Sequence, residues 1–148
     1  MAGERAMWAC KTCGRTFANR NQTHTCGLHS LESHFRGKTP EIRALYDAFV
    51  AMLGECGPVT VLPEKTRIAF HARMSFAQVT PKQRWIDGHF VLARAVKDPA
   101  FRKVETFSPR NHVHHFRLHR MGDVGKLRRF AAEAYAVGRQ EHLRRTKP

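Results

Sequence analysis

A chain of 148 residues, 42% hydrophobic, has room for one domain of about a hundred residues and a small appendage. Twenty-six lysines and arginines against twelve acids give a formal charge of +14, which points to a polyanionic partner, nucleic acid first. No apolar run reaches the roughly 18 residues of a membrane span, and MAGERAMWAC lacks the apolar core of a secretory signal, so the chain reads as cytoplasmic, with no membrane partner.

The charge is uneven. Residues 101–148 carry twelve basic and four acidic side chains, against four and two over residues 1–35. An acidic protein is the alternative partner, docked by the same basic surface.

The first element is CKTCGRTFANRNQTHTCG, Cys10 to Gly27, which holds three of the four cysteines. Disulfides are uncommon in the cytosol, so close-set cysteines favour a metal. Cys10-x2-Cys13 followed by Gly14 has the form of a zinc knuckle: two thiolates on one tight turn, with a glycine free to take a positive φ. Cys26 supplies a third sulfur. A histidine closes the tetrahedron, and His24, His29 and His34 are all within reach in the sequence. Such a set leaves no open position for substrate, so the expected cofactor is one structural Zn2+. About thirty residues cannot build a sufficient core without such a staple, and Trp8 and Phe17 are the expected apolar packing. Cys56 stands apart and receives no role.

Residues 31–39 read as a connector between a knuckle over 1–30 and a main domain over 40–145. In PEIRALYDAFVAMLGECGP, Thr39 is placed to cap a helix and Pro40 to occupy its first position. Ile42, Leu45, Tyr46, Phe49, Met52 and Leu53 form its apolar stripe. Short β-prone runs follow: VTVLP (59–63), TRIAFHA (66–72), MSFAQVTP (74–81), RWIDGHFVLARAV (84–96), Val104–Phe107 and HVHHFRL (112–118). Gly88 suggests a bulge in the fourth run. GDVGKLRRFAAEAYAVGRQEHLRR closes the chain as a helix, with Asp123 as its expected cap and Val124, Leu127, Ala131, Ala134 and Gly138 on a narrow apolar face. Consecutive strands with short turns predict an α+β fold: an antiparallel sheet of five or six strands with two helices on one face.

KTRIAF, SFAQV, WIDGHFVLAR, SPRNHVHHFRL and EAYAVGRQEHL, in this order, resemble the bacterial family called domain of unknown function 5655. Its members include some in which the domain follows a W-x-C-x2-C-G-x-x-F…H-x-C-G segment, matched here by Trp8 to Gly27. The resemblance implies that Cys10, Cys13, His24 and Cys26 are the metal set. It implies no activity.

The remaining chemistry must come from the residues. If Phe116 and Leu118 point inward, His112 and His114 share their face, and His115, Arg117 and His119 take the other. This strand admits three readings: a second metal site with Asp123, a general acid–base histidine as in a hydrolase or nuclease, and a basic strand touching phosphates. The third is preferred, because neither a metal motif nor a partner for acid–base work is visible in the sequence. On the earlier strands Arg67 and His71 are expected to project away from the core if Ile68 and Phe70 face it. Lys65, Arg67, Lys82, Arg84, Arg94, Arg110, His112, His115 and Arg117 are therefore the candidate nucleic-acid contacts. Trp85 is either a stacking platform beside them or a core residue. G-x-x-x-x-G-K-[ST], G-x-G-x-x-G and a nucleophile elbow are absent. The sequence thus predicts a zinc-stabilised, non-catalytic nucleic-acid-binding module.

Overall fold

The computed structural model describes residues 6–11, 16–17 and 29–143. Two minimal strands, β1 (Trp8–Ala9) and β2 (Thr16–Phe17), pair antiparallel with Trp8 opposite Phe17. Cys10, directly after β1, is buried.

Residues 31–39 are packed as part of the main domain. Leu31 and Phe35 lie against the core, and the Phe35 ring stands edge-on to Tyr46 at 4.9 Å. A short 3-10 turn, Glu32–His34, carries the buried His34 ring, whose Nε2 lies 2.6 Å from the Glu64 carbonyl oxygen.

Helix α1 spans Pro40–Gly54, with Thr39 in extended backbone at its N-cap and Pro40 in the first turn. Proline suits that position because its missing N–H would have no helical partner there. Ile42, Leu45, Tyr46, Phe49, Met52 and Leu53 are its buried residues, as the spacing predicts.

Six strands follow: β3 (Thr60–Pro63), β4 (Ile68–His71), β5 (Ser75–Pro81), β6 (Ile86–Leu92), β7 (Lys103–Ser108) and β8 (Asn111–Leu118). They form one antiparallel sheet in the order β3-β4-β5-β6-β8-β7. The last hairpin is turned so that β8 sits inside and β7 at the edge. Burial explains the choice. Of the six strands, β7 alone has no buried residue, whereas every second residue of β8 is buried. An edge strand tolerates polar side chains on both faces, and a central strand does not.

The bulge expected at Gly88 is not there. Gly88 pairs in register with Val79 on one side and Phe116 on the other. The ladder is irregular instead between Phe70 and His71 and between Thr106 and Ser108. Gly88 serves a close approach: a Cβ there would lie 2.7 Å from both the Gln78 carbonyl oxygen and the Phe116 ring.

Helix α2 spans Met121–Gly138, followed by a 3-10 turn, Glu141–Leu143. Its N-cap is Arg120, not Asp123. Asp123 lies within the first turn and reaches back, its Oδ2 accepting the N–H groups of His119 (2.8 Å) and Arg120 (3.1 Å). This is the carboxylate half of a capping box. The apolar face is wider than Val124, Leu127, Ala131, Ala134 and Gly138, because Phe130, Tyr135 and Val137 are buried too. The small residues let other groups come close. Gly138 lies against the Phe76 ring, and its carbonyl accepts the N–H groups of Arg73 (2.8 Å) and Met74 (2.9 Å).

Both helices pack on the sheet face formed by Ile68, Phe70, Ala77, Val79, Ile86, Phe90, Phe116 and Leu118. At its centre, Phe49 of α1 meets Phe70 at 5.5 Å, Phe90 at 5.9 Å and Phe116 at 5.5 Å. Among the described residues no helix is long and apolar enough to cross a membrane.

Candidate functional site

Strand alternation sorts the histidines of β8. His112 and His114 join Phe116 and Leu118 on the core face and are buried. Both rings are hydrogen-bonded at both nitrogens. The His114 Nε2 accepts the Val96 N–H at 2.9 Å, so Nδ1 carries the proton and donates to the His112 carbonyl at 2.9 Å. His112 meets Thr106 Oγ1 at 2.8 Å and the Pro109 carbonyl at 3.0 Å. Burial holds the His114 pKa below the usual histidine value. These two rings are structural, and burial removes His112 from any surface a polyanion could touch.

On the opposite face, where neither α1 nor α2 packs, polar side chains gather around Gln78, His89 and His115, while Leu62 and Ala69 on the β3–β4 side are buried. The register places Gln78 opposite His89, His89 opposite His115, and His115 opposite Lys103, in one row across four strands. The neighbouring row runs from Thr80 to Asp87 to Arg117. Together with Arg102 these residues line an open cleft of about 540 Å³.

Arg117 Nε donates to Asp87 Oδ1 at 2.7 Å, and its guanidinium carbon sits 4.4 Å above the Trp85 ring. Burial pushes the Asp87 carboxyl up, but the Arg117 hydrogen bond, Trp85 and the charges of Arg117 and Lys82 together hold it below the usual carboxylate range. Trp85 is therefore half-buried, with a cation rather than a core side chain on its face. In the other row His115 Nε2 lies 2.6 Å from Glu105 Oε1, a contact that lowers the Glu105 pKa. The His89 ring stands 5.6 Å from that of His115 at 71°. Burial, with His115 and Arg67 nearby, pulls the His89 pKa down to about 4.

Chain direction gathers the cations. In an antiparallel meander alternate turns return to the same end of the sheet. The β3–β4 turn brings Lys65 and Arg67 there, and the β5–β6 turn brings Lys82 and Arg84. The start of β7 and the end of β8 add Arg102 and Arg117. The acids of this end are engaged: Glu64 with Arg67 (3.0 Å), Asp87 with Arg117, and Glu105 with His115. Lys65, Lys82, Arg84 and Arg102 are exposed and make no ion pair among the described residues.

Of the nine candidate contacts, the structure thus brings together Lys65, Arg67, Lys82, Arg84, His115 and Arg117. It separates three. Arg94 follows β6 at the opposite end and pairs with Glu133 of α2 at 2.8 Å. Arg110, in the β7–β8 turn, donates to the His142 carbonyl at 3.2 Å. His112 is inside. His71, expected to project beside Arg67, is buried. Sequence reasoning missed Asp87, His89, Arg102, Lys103 and Glu105. The alternation of IDGHFVL placed Asp87 and His89 on one face, but only the strand pairing shows what stands beside them.

Of the expected zinc set, Cys10 is described, while Cys13, His24 and Cys26 lie outside the described residues. His34 is engaged with Glu64 in the main domain. Among the described residues no three His, Cys, Asp or Glu side chains are grouped to hold a metal ion, the histidines of β8 included. Burial and the neighbouring Glu55 raise the Cys56 thiol above its ordinary pKa.

The fold and its polar face define a small basic α+β domain of two layers, six antiparallel strands under two helices. The family described as "Domain of unknown function (DUF5655)" matches residues 31–138, and the chain belongs to it. No curated protein and no solved structure matches the chain.

Proposed function

We propose that this chain binds nucleic acid in the cytoplasm through the face of its sheet opposite α1 and α2 and the turns at one end of it. One observation carries the reading: Lys65, Lys82, Arg84 and Arg102 gather at that end without ion-pair partners among the described residues, while its acids are engaged with other groups. Cations held on turns of a rigid sheet suit phosphate contacts, and the cleft gives a chain of nucleotides a place to lie. The +14 charge supplies the long-range attraction.

The same reading takes one structural Zn2+ on Cys10, Cys13, His24 and Cys26 as the staple of the N-terminal segment. The sequence spacing supports it. So does the β1–β2 pairing, whose two strands lie on either side of Cys10 and Cys13 in the sequence.

The test is binding of mixed-sequence DNA and RNA oligonucleotides by fluorescence anisotropy across a salt series. The logarithm of affinity should fall with the logarithm of salt by about 0.7–0.9 per phosphate contacted. A Lys82→Ala, Arg84→Ala, Arg102→Ala variant should bind more weakly and with a shallower slope. Affinity unchanged by salt, or by the triple substitution, overturns the proposal and moves the role to the docking of an acidic protein.

A further inference from the structure

The cleft holds a constellation that phosphate binding does not require. His89 and His115 are register partners on adjacent strands, both on the cleft side, with ring centroids 5.6 Å apart. Their surroundings differ. Glu105 engages His115 Nε2 at 2.6 Å, which leaves Nδ1 as the nitrogen with no hydrogen bond among the described residues. That carboxylate orients the ring and complements positive charge on it, as the acid of a His–carboxylate pair does elsewhere. His89 makes no side-chain hydrogen bond among the described residues and lies between His115 and the Arg67 charge, in surroundings that keep its imidazole neutral at pH 7. In this neutral form His89 can accept a proton, although burial weakens it as a base, and the His115 ring held by a carboxylate stands beside it. Arg102, Lys103 and Arg117 stand around the pair, where charge would develop on a phosphoryl group.

We propose that this cleft cleaves RNA, with His89 as general base, His115 as general acid and Glu105 as the residue that positions His115. The inference rests on the nucleic-acid-binding reading above. RNA is the fitting substrate because it brings its own nucleophile, so two imidazoles suffice. His89 takes the proton of a ribose 2′-hydroxyl. The 2′-oxygen forms a bond to the adjacent phosphorus, and the bond from phosphorus to the 5′-oxygen of the next nucleotide breaks. His115 gives that oxygen a proton. The products are a 2′,3′-cyclic phosphate and a free 5′-hydroxyl. No oxidant or co-reactant is consumed, and exchange with water restores both rings.

The test uses the full chain with a fluorescent mixed-sequence RNA oligonucleotide and its all-deoxy counterpart, with binding and cleavage read on the same samples. The expected result is cleavage of the RNA alone, with mass spectrometry showing cyclic-phosphate ends. His89→Asn and His115→Asn should each lower the rate by about 100-fold or more. Glu105→Gln should lower kcat while leaving KM in place, which a merely structural role would not do. Thermal melting of each variant checks folding, and if His89→Asn does not fold, the more accessible His115→Asn carries the comparison. RNA that binds and stays intact overturns this inference and leaves the binding reading standing. Cleavage retained in the folded His115→Asn variant also overturns it. RNA that neither binds nor is cut overturns both.

Discussion

Asp87 and Arg117 face each other across the β6–β8 ladder, 2.7 Å apart, and the same guanidinium lies over Trp85. The carboxylate holds the cation in place and also neutralises it within the cleft. Asp87→Asn should therefore separate the two effects. The side chains are 36% and 28% exposed, so loss of the pair should cost under about 1 kcal/mol of stability. Removal of the negative charge should tighten oligonucleotide binding by about 1 kcal/mol, roughly fivefold, at low salt. Arg117→Ala should weaken it. Anisotropy on the two variants checks both signs, and parallel losses would show that the pair acts only in folding.

Acid should destabilise the fold before its carboxylates titrate. Burial, then His115 and Arg67, take His89 from an ordinary value of 6.5 to about 4, and burial lowers His114 as well. Both rings bind a proton more readily in the unfolded chain. Their contribution is thus fully present above about pH 6.5 and is lost as pH falls towards their folded values, for His89 about 4. Between those limits His89 alone accounts for about 3 kcal/mol. Denaturant melts at pH 7, 6, 5 and 4 should show this slope, and His89→Asn should flatten it. Asp87, Asp123 and Glu105, whose pKa values are lowered, should add a further loss only below about pH 4.

The elements are legible from residue spacing, and the site is not. The stripe from Ile42 to Leu53 marks α1 because a 3.6-residue period has no other use there. Every second residue of HVHHFRL alternates as a half-buried strand must, and that spacing alone separates His112 and His114 from His115 and Arg117. Strand order is a different matter. The chain runs β6, β7, β8, yet β8 pairs with β6, and that swap alone brings His115 to His89 and Arg117 to Asp87. Periodicity says which face a side chain takes, but carries no information on which strand lies alongside. Gly88 shows the same limit from the other side. A glycine in a strand signals either a bulge or a close approach, and the Phe116 ring that decides between them is 28 residues away.

Gly88→Ala should accordingly be costly. Its Cβ would meet the Gln78 carbonyl oxygen and the Phe116 ring, both at 2.7 Å. The backbone oxygen cannot move without disturbing the β5–β6 ladder, and the ring is locked among Phe49 and Phe90. Overpacking of this kind typically costs about 1–3 kcal/mol. Gly122→Ala is the contrast, since nothing lies within 4 Å of a Cβ there. That variant should equal or exceed the parent, because alanine is the better helix former. Thermal melts of the two should move in opposite directions, and equal shifts would rule out the steric account of Gly88.

The proposed zinc staple should be separable from the main domain. Among the described residues the core of that domain draws on Ile42 to Tyr135, and Cys10 is not among them. A knuckle of about thirty residues has too little apolar surface to stand alone, so metal binding and folding should be one event there. Elemental analysis of the purified chain should find about one zinc per molecule, absent in a Cys10→Ser, Cys13→Ser variant. A chelator should remove it and increase proteolysis within residues 1–30, while the cooperative melt of residues 31–143 stays in place. Zinc binding that survives the double substitution would assign the metal to other ligands. A chain purified under reducing conditions with no zinc at all would mean that the cysteine spacing, however suited to a knuckle, serves another purpose.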